Sequence, residues 1–78
     1  MFTAWLLDQR DRVDAVGMLA NVAYNDHNAG CASMYKDPVS WMHHFEDKHR
    51  KQLARLMEGL GDAYVEYCSQ LGTKNDLF

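Results

Sequence analysis

Any chemistry in this chain would have to come from four histidines (His27, His43, His44, His49), two cysteines (Cys31, Cys68) and a few acid pairs. A zinc site needs four ligands converging at about 2.0–2.3 Å, usually delivered by short-spaced pairs such as C-x-x-C or H-x-x-x-H. His43 and His44 are adjacent and point to different sides of a helix, and His49 follows at spacings of six and five. Neither spacing makes a good helical pair, so no metal ligands are expected. A nucleophilic cysteine needs a helix N-terminus or a cation to lower its pKa. Cys31 has only Lys36 and His27 nearby in sequence, and Cys68 falls on an apolar helical stripe where a thiol behaves as a small hydrophobe. No Gly-rich phosphate loop, G-x-S-x-G elbow or H-E-x-x-H occurs. Asp11 with Asp14, and Glu46 with Asp47, read as caps and solvated faces. The expectation is no catalytic residue, no cofactor and no enzyme.

Binding chemistry is better represented. Lys48, Arg50, Lys51 and Arg55 supply half of the eight lysines and arginines within eight residues. With His43, His44 and His49 they make a positive strip bordered by Trp41, a surface type that holds phosphates while an aromatic stacks on a base. His43, His44, Lys48, Arg50, Lys51 and Arg55 are therefore the candidate nucleic-acid contacts. The plainer reading is a solvated helix start balanced by Glu46, Asp47 and Glu58, with Asp47 as a cap. Cations in a first turn oppose the helix dipole by up to about 1 kcal/mol. Met18 lies off the apolar face of its helix and Met34 lies in a loop. Together with Tyr35 and Trp41 they are the candidate partner-binding residues, marking an apolar patch suited to protein recognition.

Helices must position these groups. Thr3 predicts the cap of a first helix of about two turns, with Phe2 and Leu7 closing a hydrophobic staple and Trp5 and Leu6 facing inward. Asp14 predicts a cap for a second helix through Asp26, whose Val16, Leu19, Ala20 and Ala23 follow one helical face. Gly17 weakens that helix, which predicts a close approach by a neighbour. His27 to Lys36 reads as a loop. Asp37-Pro38 predicts the start of a third helix with Trp41, Met42 and Phe45 inward, broken between Glu46 and Arg50. Leu53, Leu56, Met57, Leu60, Tyr64, Tyr67, Cys68 and Leu71 predict a long fourth helix, bent or split near Gly59 and Gly61 and C-capped by Gly72. The expected domain spans residues 1–72, followed by a frayed tail at 73–78.

Composition agrees with one small folded domain: 47% hydrophobic residues, nine aromatics and a single proline in 78 residues. A net charge of −3 gives no overall attraction for nucleic acid. No apolar run approaches the roughly 20 residues of a membrane span and no secretory signal is visible, so a cytoplasmic chain is expected. Unpaired thiols are expected as well.

Phe2-x-x-Trp5-Leu6, Asp14-x-Val16-Gly17-x-Leu19-Ala20 and Ala23-Tyr24-x-Asp26-His27, followed by Met57-x-x-Leu60-x-x-Ala63-Tyr64-x-x-Tyr67, resemble the YozE-type SAM-like family of small bacterial and phage-borne domains. The resemblance covers Phe2 to about Tyr67 and weakens over Cys31–Lys36 and Lys48–Lys51. It implies a compact all-α bundle of four or five short helices and carries no reaction. SAM-like folds generally serve as interaction modules for protein and sometimes for nucleic acid. The expected function is a non-enzymatic module binding another protein, including a phage-derived inhibitor or regulator of a host system. Nucleic-acid binding through residues 43–55 is the alternative, and self-association stays open.

Overall fold

The computed structural model describes residues 2–75, with side chains described for residues 2–70. Helices α1 (Phe2–Asp8), α2 (Ala15–Asn28), α3 (Pro38–Lys48) and α4 (Leu53–Asn75) follow in order, and a 3-10 turn at Arg50–Gln52 joins the last two. The result is a small all-α bundle with no strand among the described residues. No helix among them is long and apolar enough to cross a membrane.

Local chemistry sets the helix ends. The Oδ1 of Asp14 accepts from the backbone N–H of Gly17 at 2.9 Å, and that of Asp37 accepts from Ser40 at 2.8 Å, with Pro38 in the first turn where its missing donor costs nothing. Helix α2 runs two residues past its expected end because Gly30, at φ +79°, closes it: Gly30 N–H donates to the His27 carbonyl and Cys31 N–H to that of Asp26. This double bond pattern satisfies carbonyls that the helix leaves free.

The capping carboxyls make acid stability testable. The Arg12 guanidinium and then the Gly17 N–H hold Asp14 below its usual carboxyl range, while the Ser40 backbone N–H and hydroxyl do so for Asp37. Both groups thus favour the fold fully above the ordinary value of 3.8 and lose that contribution as pH falls through their lower folded values. Thermal melts between about pH 6 and about pH 2 should show Tm falling below about pH 4. A variant combining Asp14→Asn and Asp37→Asn should show a shallower fall; an equal slope would remove these carboxylates from the account.

The core is built from one face of each helix. Phe2 and Leu6 of α1, Val16, Leu19, Ala20 and Ala23 of α2, Trp41 and Phe45 of α3, and Leu56, Leu60 and Ala63 of α4 are buried together. The central packing pair is α2 with α4, and it depends on small residues. A Cβ at Gly59 would lie 2.8 Å from the Ala15 carbonyl oxygen, and one at Gly17 would lie 1.9 Å from that of Arg12. The close approach expected at Gly17 is thus present. Gly59 serves the same purpose, and α4 continues through it without a break.

Several expectations need correction. Thr3 is no cap: α1 already includes Phe2, and Thr3 is fully buried, with its Oγ1 accepting from Trp41 Nε1 at 2.8 Å and donating to the Tyr35 carbonyl. Gly72 does not end α4, which reaches Asn75. The inward stripe of α4 also stops early, since Tyr64 and Cys68 are exposed. Past Ala63 the contacts of α4 thin out: Phe2 and Trp5 of α1 pack on Tyr67 at 5.4 and 5.6 Å, and Arg12 donates to Glu66 at 2.7 Å. The Leu71 side chain and residues 76–78 lie outside what is described.

Candidate functional site

Two features stand out on this scaffold. The first is a polar cluster where α2 and α3 end. Asp26 continues the Val16, Leu19, Ala23 face of α2, and His44 lies one turn from Trp41 on the inward face of α3, so register alone drives both toward the core. His49 arrives differently. Helix α3 stops at Lys48, and His49, at φ −133° and ψ 47°, turns its ring back toward the end of the bundle. The Nε2–H of His44 and the Nε2–H of His49 each donate to the same Asp26 Oδ2 at 2.7 Å. The side chains of His44, Asp26 and His49 are 4%, 17% and 28% exposed. Burial pushes the Asp26 carboxyl up, and the two imidazole bonds outweigh it, leaving the carboxyl below its usual range.

Aromatic rings hold His44 in place. Trp41 meets it edge to face at 5.6 Å, Phe45 at 5.6 Å in a T-shape, and Tyr35 at 5.9 Å. The spacing argument that kept His44 and His49 apart assumes one continuous helix, and the break expected between Glu46 and Arg50, which falls at His49, removes that assumption. Two signals in the chain pointed here: an acid and a histidine each sitting on an otherwise apolar helical face.

The second feature is a shallow groove of about 250 Å³ between α3 and α4, floored by Met42, Met57 and Leu60 and flanked by Val39 and Tyr64. Val39 is 56% exposed and Tyr64 46%. A neighbouring hollow shares Pro38 and Tyr64 and adds Phe2 and Tyr67 together with the charged Lys36 and Asp37. Interaction with the Cys68 thiol one turn on holds the Tyr64 phenol above its usual range.

The candidate partner-binding residues do not form the expected open patch. Trp41 is fully buried, Met18 and Tyr35 are half-buried against the core, and only Met34 is exposed. The basic strip is split as well. His43, Lys48, Arg50, Lys51 and Arg55 are exposed, but His44 is committed to Asp26, and buried Trp41 offers no face for a base. Val39 was readable as an apolar residue one turn before Met42; Tyr64 was not, because its exposure depends on where α1 and α3 end. Comparison with protein-family models, curated proteins and solved structures finds no match for this chain.

Proposed function

We propose that this chain is a non-enzymatic helical interaction module that docks a partner protein in the groove between α3 and α4. The observation that carries this reading is the uncharged apolar strip from Val39 to Tyr64, left open in a domain short of core. Its outer side on α4 carries two acids and one cation: Glu58 and Asp62 follow groove residues Met57 and Gly61 in sequence and are exposed, with exposed Arg55 one turn before Glu58. The fitting occupant is an amphipathic helix with two or three aliphatic anchors and flanking lysine or arginine. The resemblance to the YozE-type SAM-like family supports the same class of activity.

Selection of a helical-peptide library against the immobilised chain should enrich such sequences. Backbone amide shifts of Val39, Leu60 and Tyr64 should move on binding, and Val39→Glu should weaken it by about tenfold or more while the fold is kept. Enrichment of no sequence, or shifts confined to Arg50–Arg55, would reject the groove. Salt-dependent binding of short RNA lost in Lys48→Glu with Lys51→Glu would install the nucleic-acid reading instead.

A further inference from the structure

The geometry points to a zinc site at Asp26, His44 and His49. Its three donor atoms, one carboxylate oxygen and two imidazole nitrogens, all lie within 4.8 Å of one another. In a tetrahedral zinc site with bonds of about 2.0–2.1 Å, neighbouring donor atoms sit roughly 3.3 Å apart. The 2.7 Å contacts of Asp26 Oδ2 with each Nε2 therefore need to open by about half an ångström, and the two histidine donors, within 4.8 Å of each other, need to settle at the same spacing. On binding, the ion takes the place of the two Nε2 protons that now lie between the rings and the carboxylate, and each neutral imidazole keeps its one proton by shifting it from Nε2 to Nδ1.

Three independent backbone segments deliver these donors: the last turn of α2, the inward face of α3, and the break before the 3-10 turn. The site is preformed for that reason, and His44 is the best-fixed ligand, since rings pack on it and its side chain is 4% exposed. Two imidazoles and one carboxylate suit a borderline cation such as zinc better than calcium or magnesium, which favour oxygen-rich cages. Three protein ligands leave a fourth position for water on the side where His49 is open to solvent. Lys48, Arg50 and Lys51 are exposed beside His49 in sequence and weaken the attraction for a cation, though solvent and salt screen them. Bound zinc would tie the ends of α2 and α3 to the start of α4, a staple of the kind small domains use. The site is separate from the groove and independent of what docks there.

The experiment is equilibrium dialysis of the chelator-treated chain against zinc chloride, with thermal melts and cobalt(II) as a spectroscopic substitute. The expected result is one ion per chain, a Tm that rises with zinc, and cobalt bands of a tetrahedral site without thiolate charge transfer. His49→Ala, which removes a half-exposed ring and leaves the core intact, should weaken binding by about 100-fold or more and abolish the rise in Tm. Asp26→Asn, checked for helicity by circular dichroism, should do the same. A variant with Cys31→Ser and Cys68→Ser should bind as the parent does. No uptake, uptake unchanged in His49→Ala, or uptake lost in the cysteine variant would each overturn the assignment.

Discussion

Trp41→Ala is expected to cost about 3–5 kcal/mol, most of what a domain of this size has to lose. Trp41 is fully buried and its ring touches three others: Tyr35 edge to face at 4.9 Å, Phe45 stacked at 5.5 Å and His44 at 5.6 Å. Removing it opens a cavity where α1, α3 and the loop before α3 converge. The indole also anchors a polar chain, in which Nε1 donates to Thr3 Oγ1 and Thr3 in turn donates to the Tyr35 carbonyl. Urea unfolding should divide the packing part from the polar part. Trp41→Phe keeps an aromatic ring in the site and should lose far less than Trp41→Ala. Thr3→Val keeps the volume, strands a buried N–H and should cost about 1–3 kcal/mol. A Trp41→Ala chain that unfolds at the parent's urea midpoint would move the centre of the core elsewhere.

Thr3 also shows what could be read from the chain and what could not. Asp14 and Asp37-Pro38 were legible because a cap is a local event: a short side chain reaches a backbone donor three residues on, and no distant element is needed. The apolar faces of α2 and α3 were legible for a similar reason, since the helical repeat alone sorts Val16, Leu19 and Ala23, or Trp41 and Phe45, to one side. Thr3 carries the residue type of a cap, but its partners are 32 and 38 positions away, and only the fold brings them near. Tyr64 and Cys68 keep the repeat of the α4 stripe yet face solvent, because burial also requires something to pack against. The cluster of Asp26, His44 and His49 failed to appear for the opposite reason. His44 and His49 are close in the chain, and the backbone angles at His49, within the expected break, decide whether they meet.

Gly17→Ala is the other change with a large expected effect, and its sign is the reverse of the usual one. Alanine in place of a helical glycine ordinarily gains up to about 1 kcal/mol by restricting the unfolded chain and favouring the helix. At Gly17 the new Cβ would stand 1.9 Å from the Arg12 carbonyl oxygen and 2.4 Å from its carbon, both backbone atoms that cannot swing aside. The turn before α2 would have to move, and with it Arg12, whose guanidinium donates to Asp14 at 2.6 Å and to Glu66 of α4 at 2.7 Å. A loss of about 3 kcal/mol is expected, at the upper end of ordinary overpacking. Gly61 is the internal control, because a Cβ there meets nothing within 4 Å; Gly61→Ala should stabilise by about 0.5–1 kcal/mol. Gly59→Ala should fall between them, since its nearest backbone contact of 2.8 Å to the Ala15 oxygen asks for a smaller displacement. Melting temperatures should therefore descend from Gly61→Ala through the parent and Gly59→Ala to Gly17→Ala. A Gly17→Ala chain that melts above the parent would mean that the turn at Arg12 stands farther from α2 than this packing allows.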